Sequence, residues 1–176
     1  MLITIGGLPG SGSSTVGSLL SEKIDRRRID AGNLWDKMAR DYNTDVLGLN
    51  KLAENDDSID HDLDKRMVAT AKEQPDIILE GRLIGYFCQK EAIPAFKIWI
   101  TADQTIRINR LKQDGRETER VKEREASERK RYLSLYNIDI DDHSVYDLVV
   151  NANKQTPDKI VGLILDKLSD LKIISK

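Results

Sequence analysis

Five residues from its start, the chain changes from an apolar run to a string of glycines and hydroxyls. Met1-Leu-Ile-Thr-Ile5 reads as a short strand and Gly6-Gly-Leu-Pro-Gly10-Ser-Gly-Ser-Ser-Thr15 follows at once. Val16, Leu19, Leu20 and Ile24 then recur at helical spacing. A strand that breaks into a glycine-rich turn and restarts as a helix leaves the first-turn N–H groups of that helix unshared. Glycine lets the backbone approach an anion there, and the helix dipole favours one. Against the pattern G-x-x-x-x-G-K-[ST], Gly7 to Ser14 matches at every position but one, with Ser13 where lysine is expected. Gly7, Leu8, Pro9, Gly10, Ser11, Gly12, Ser13, Ser14 and Thr15 are therefore expected to cradle phosphate. Ser14 keeps the hydroxyl that would reach Mg²⁺, with Thr15 behind it.

At 176 residues the chain is one ordinary domain with room for a sizeable core. Its 28 Lys+Arg against 30 Asp+Glu give a net charge of -2, so no global field draws it to nucleic acid or an anionic membrane. The single cysteine, Cys88, excludes an internal disulfide and a cysteine-rich zinc site, and its neighbours Tyr86 and Phe87 suggest packing. No apolar stretch approaches the ~20 residues of a membrane span. The fold begins within two residues of Met1, which leaves no room for a signal peptide. The expected location is the cytoplasm. No coiled-coil pattern or long apolar edge is present, so a monomer is expected.

Further along, helices are expected over 13–24 and from Leu34 to about Tyr42, the second after a poor strand ending at Asp30 and an Ala31-Gly32-Asn33 turn. Leu47, Leu49 and Leu52 suggest a short helix, and a longer one capped near Ser58 reaches Ala71. Ile77-Ile78-Leu79 has the continuous apolar character of a strand buried on both faces. Phe96–Ile100 and Asp147–Asn151 are the remaining strands. Asp103 is placed to cap the helix carrying Arg107 and Arg110, and a polar helical region covers Arg116 to Tyr136. Thr156-Pro157-Asp158 opens the last helix, with Ile160, Leu163, Ile164, Leu168 and Leu171 as its buried stripe.

Strands alternating with helices give an α/β fold with a five-stranded parallel sheet covered on both faces. Residues 31–73 and 114–140 read as helical insertions in one domain. Ligands of such sheets lie at the carboxyl ends of the strands, which marks 7–15, 30–32, 80–82, 101–103 and 151 onward.

Between Arg107 and Arg131 ten Lys/Arg face six Asp/Glu, and Arg120, Arg124 and Arg131 fall on one helical face. Interleaved Glu119, Glu123, Glu125 and Glu128 would suit a solvated, salt-bridged helix equally well. A phosphate loop without its lysine favours the other reading, in which Arg124 and Arg131 close over a transferring phosphoryl group. Arg82 should emerge at the ligand edge of the sheet and bind phosphate, or else pair with Glu80 or Asp30. Arg66 has the same choice between a ligand and an i,i+4 pair with Asp62. His61 and His143 lie in acidic stretches, are expected to face solvent, and lack ligand spacing.

Gly7–Thr15, Asp30-Ala-Gly32, Glu80-Gly-Arg82, Arg124-Glu-Ala-Ser-Glu-Arg-Lys-Arg131-Tyr and Tyr136-Asn-Ile-Asp-Ile-Asp-Asp142, followed by Ser144-Val-Tyr-Asp147-Leu-Val, together resemble the archaeal cytidylate kinases. The resemblance covers nearly the whole chain. It implies a P-loop three-layer sandwich of nucleoside-monophosphate-kinase type, a monophosphate-binding segment at 31–73 and a lid at 114–140. The implied reaction converts ATP and CMP (or dCMP) to ADP and CDP (or dCDP) with Mg²⁺. By the same resemblance Gly7–Thr15, Arg107 and Arg110 contact ATP, while Asp30, Gly32, Arg66 and Arg82 line the monophosphate site. Arg124 and Arg131 match the lid arginines. Asp36 departs from the family, which has arginine there aimed at the monophosphate; Lys37 or Arg40 takes over, or affinity falls. A kinase for another monophosphate or small metabolite would share the loop and lid, and a non-catalytic nucleotide-binding module would share the loop.

Overall fold

The computed structural model describes residues 1–53, 56–116, 118–119 and 121–174, with side chains for all of these but residues 46, 47, 50, 123, 124 and 127. Strand β1 (Leu2–Gly7) leads through the glycine loop into α1 (Ser13–Ile24) and then β2 (Arg28–Asp30). Three helices follow, α2 (Ala31–Asp41), α3 (Val46–Ala53) and α4 (Asp57–Glu73), before β3 (Ile78–Glu80). The chain continues through α5 (Ile84–Lys90), β4 (Ala95–Thr101), α6 (Gln104–Gln113) and α7 (Val121–Tyr136). A 3-10 turn (His143–Val145), β5 (Leu148–Asn151) and α8 (Pro157–Asp170) complete it.

The five strands are parallel, in the order β2-β3-β1-β4-β5. Successive side chains of a strand point to opposite faces, which divides the apolar runs between two cores. Ile3, Ile5, Ile78, Ile98 and Ile100 pack under α1 and α8 with Val16, Leu20 and Ile164. Leu2, Leu79 and Trp99 face the other way, against Met67, Tyr86, Phe87 and the 138–146 stretch. The result is a three-layer α/β sandwich. A third, small cluster of Met38, Ala39, Leu49 and Ile59 gives α2–α4 a core of their own. Register sets Ile5, Glu80 and Asp30 level across β1, β3 and β2, so the carboxyl ends of these strands open onto one edge.

Several local expectations need correction. Helix α2 begins at Ala31, not Leu34, because the Asp30 carboxylate accepts the Asn33 N–H at 2.8 Å and the strand runs directly into the helix. Asp56, not Ser58, caps α4. The Asp103 side chain makes no capping bond, although the residue holds the N-cap position of α6. Helix α5, short and buried, had no distinct periodicity to announce it. In α8 the buried stripe is Ile160, Val161, Ile164 and Leu168, whereas Leu163 and Leu171 are 49% and 50% exposed. His61 is on α4 with its ring edge against Tyr136, and His143 packs on Trp99, so neither stands free in solvent. Cys88 is buried as expected, and burial pushes its thiol up to about 11.

The two faces of α8 give a direct stability test. Ile164→Ala is expected to cost about 2–5 kcal/mol in denaturant unfolding. Leu163→Ala, one residue away on the exposed side, should change stability by about 0.5 kcal/mol or less. Equal effects would contradict the packing.

Candidate active site

The loop takes left-handed backbone at Gly10 (φ 78°) and Gly12 (φ 98°). A Cβ added at Gly10 would collide with the Arg107 carbonyl oxygen. Gly12 stands at the N-cap of α1, where no side chain caps the helix. Apart from Ser13 N–H, which makes a long 3.4 Å contact with Ser11 Oγ, first-turn N–H groups lack a side-chain cap and suit an oxyanion. A cavity of about 950 Å³ lies over this turn, lined by the loop, Arg28, Asp30, Gly32, Glu80, Arg82, Arg110 and Arg116, with Glu125 and Glu128 from α7.

Glu80 ties the floor of the cavity together. It ends an otherwise apolar strand and is 7% exposed. One carboxylate oxygen accepts from Ser14 Oγ at 2.5 Å and from Ser13 Oγ at 3.3 Å. The other is paired with Arg28, whose second amino group lies 3.0 Å from Asp30 Oδ2.

The arginines are distributed differently from the sequence expectation. Arg110 lines the cavity and donates to Ser11 O at 3.0 Å and Ala152 O at 2.7 Å. Arg82 also lines it, paired with Glu128 of α7 and not with Glu80 or Asp30. Arg107 does not line the cavity. It is 3% exposed beneath the loop, where Nε donates to Ala102 O at 3.1 Å and Nη1 to Pro9 O at 3.0 Å. Its guanidinium also pairs with Glu125, 3% exposed. Burial alone would raise the Glu125 carboxyl, but the hydrogen bond and charge of Arg107 outweigh it and hold the carboxyl below its ordinary range. Arg107 thus shapes the loop from below.

Arg66 and Arg131 lie outside the cavity. Arg66 is held between Asp41 and Asp62. Arg131 pairs with Asp60 of α4 at 2.9 Å, and its Nε is buried without a hydrogen-bond partner among the described residues. The side chain of Arg124 lies outside those described; its backbone belongs to α7. Asp36, Lys37 and Arg40 are exposed on α2, and none of the three lines the cavity. Beside the Arg131 pair, Tyr136 Oη donates to Asp64 Oδ2 at 2.5 Å and lies 2.8 Å from His61 Nδ1.

The site therefore gathers Gly7–Thr15, Asp30, Gly32, Arg82 and Arg110, with Glu80 from the marked 80–82 strand end, and adds Arg28, Glu125 and Glu128. Glu80 carried a signal, a lone charge closing the run Ile77-Ile78-Leu79. Arg28 carried only its i,i+2 relation to Asp30, which puts both on one face of β2.

Residues 2–154 match the cytidylate kinase-like family. A cytidylate kinase of Methanococcus maripaludis (strain C5) is 39% identical, over 98% of this chain and 99% of its own. The cytidylate kinase of Methanocaldococcus jannaschii is 38% identical over 98% and 99%, and that of Halobacterium salinarum 39% over 94% and 88%. Among solved structures, shikimate kinase from Aquifex aeolicus superposes with a TM-score of 0.60 at 17% identity, covering 98% of this chain and 99% of that one. Shikimate kinase from Acinetobacter baumannii, in complex with shikimate, gives 0.62 at 15%, covering 98% and 95%. At such identities the structural likeness shows the fold alone.

Asp64 gives the site's flank a pH signature. Burial lifts its carboxyl from 3.8 to about 6, with the Tyr136 hydrogen bond opposing. Folding therefore favours the neutral acid, and its contribution is lost as pH rises through about 6. Asp64→Asn, which does not titrate, should gain in thermal midpoint relative to the parent chain between about pH 4 and pH 7. A constant difference would contradict the assignment.

Proposed function

The chain belongs to the cytidylate kinase-like family, and we propose that it transfers the γ-phosphoryl group of ATP to CMP or dCMP, giving ADP and CDP or dCDP. The observation that carries this reading is one cavity holding the uncapped N-terminus of α1, the Ser14–Glu80 pair and the guanidinium groups of Arg82 and Arg110, in a chain alignable over nearly its full length with cytidylate kinases.

The acceptor is a phosphate oxygen already ionised at neutral pH, so no general base is required. Positioning and charge stabilisation carry the reaction. In this reading the loop Gly7–Thr15 holds the ATP phosphates through amides other than that of Ser11, which donates to Leu8 O at 2.9 Å, and Arg110 steadies the loop at their edge. Asp30, Gly32 and Arg82 line the place of the monophosphate. Ser14 and Glu80 offer a hydroxyl and a carboxylate 2.5 Å apart, hard oxygen donors that fit Mg²⁺. Mg²⁺ held there would draw off charge developing on the β- and γ-phosphate oxygens. No group of three His, Cys, Asp or Glu suited to a metal occurs among the described residues, and an ion shared with substrate phosphates needs none.

Residues 31–73 are read as the monophosphate-binding segment, supported by the separate core of α2–α4. Residues 114–140 are read as the lid. The ion pairs from α7 to Arg82 and Asp60 are contacts that a polyanion can exchange for its own. Arg131 would leave Asp60 for the transferring group, with Arg124 beside it, and Arg66 would approach the monophosphate as α4 moves inward. No helix among the described residues is long and apolar enough to cross a membrane. A cytoplasmic location belongs to the proposal. A monomer does as well.

ADP formation measured with CMP, dCMP, UMP, AMP and small hydroxyl acceptors tests the reading. CMP or dCMP should be preferred; no turnover with any acceptor would contradict it. Arg131→Ala and Arg124→Ala should each lower kcat by roughly 10³-fold, the scale of a transition-state arginine. Rates within about tenfold of the parent would show the lid assignment to be wrong.

A further inference from the structure

A phosphate loop of this pattern ordinarily carries a lysine that reaches the β- and γ-phosphates. Ser13 stands in that place, turns its hydroxyl to Glu80 at 3.3 Å, and brings no charge. The other arginines lining the cavity reach it from other elements and share no carboxylate with the loop hydroxyls. Arg82 is paired with Glu128, Arg110 donates to the carbonyls of Ser11 and Ala152, and Arg116 lies beyond the end of α6.

Arg28 is different. Its guanidinium is on the far oxygen of the same carboxylate that accepts from Ser13 and Ser14, so one carboxylate separates it from the loop hydroxyls. Asp30, at 3.0 Å, holds its other amino group at the cavity wall. The approach is prepared within α1. A Cβ at Gly17 would stand 3.2 Å from Arg28 Cδ and 3.3 Å from Glu80 Oε2, so the glycine leaves the arginine stem and the carboxylate room to lie close against the helix.

We propose that Arg28 is a catalytic residue that replaces the absent loop lysine, turning one side of its guanidinium from Glu80 to the phosphate oxygens of bound ATP. A planar fork can keep Asp30 with one amino group while the other meets phosphate, which an ammonium cannot do as well. The inference rests on the kinase reading for its chemistry and on ATP binding alone for its geometry.

The test compares Arg28→Gln, whose amide still donates to Glu80 but is neutral, with Ser13→Lys/Arg28→Gln. Thermal unfolding verifies that both fold. Arg28→Gln should lower kcat by about 100-fold, and adding Ser13→Lys should return at least about tenfold of that. ATP affinity measured in EDTA should fall by about tenfold or more in Arg28→Gln and recover in the double variant. Should Arg28→Gln not fold, the same comparison is made in an Asp30→Asn background, where one charge of each sign has been removed. If the parent chain forms no ADP, the kinase reading fails, and the affinity measurement still decides the role of Arg28. Parental kcat and ATP affinity in Arg28→Gln, or a folded double variant no better than Arg28→Gln, would overturn the proposal and leave Arg28 as a brace for Glu80.

Discussion

Between Gly7 and Ser13 the backbone passes from strand to helix while leaving the first turn of α1 without a side-chain cap at Gly12. Two left-handed glycines make that path possible, and the Arg107 carbonyl closes off any side chain at Gly10. From below, the Arg107 guanidinium takes the carbonyls of Pro9 and Ala102, satisfying two acceptors under the loop. Glu125 neutralises that guanidinium from α7. The shape of the loop and the position of α7 are thus joined through one buried ion pair, and breaking such a pair leaves an uncompensated charge. The rest of the site is arranged around that joint.

Charge at the site is balanced in advance. Arg82 faces Glu128, Arg131 faces Asp60, Arg66 faces Asp41 and Asp62, and Arg28 faces Glu80 and Asp30. Several of these pairs join separate elements: β3's end to α7, α4 to α7, α2 to α4. Under the proposed function a nucleotide polyanion would compete with these carboxylates for their arginines, coupling binding to rearrangement of the helices. That coupling follows from ordinary electrostatics in a partly enclosed cavity, where exchanged pairs matter more than in water.

The sheet, the loop and most helices were legible because each depends on local chemistry: glycine at positive φ, apolar runs in buried parallel strands, proline at the start of α8. Helix α5 was not, since Ile84–Lys90 is buried nearly all round and shows no polar face. The start of α2 was missed because Asp30 ends a strand and caps a helix with one carboxylate. The loop and Arg82 were recognisable as cavity-lining residues from their place at strand ends. Arg107 was not separable from Arg110, since both lie on one polar helix and only packing tells which goes under the loop. Partners such as Glu128 and Asp60 depend on how α7 meets distant elements, which no local pattern encodes.

A crystal structure with adenosine and cytidine joined through a polyphosphate chain would test the central claim most directly. The account requires the polyphosphate on the first-turn amides of α1 beside Ser14, with Arg131 parted from Asp60 and turned to the phosphates. A polyphosphate bound elsewhere, or bound at the loop with Arg131 still on Asp60, would contradict it.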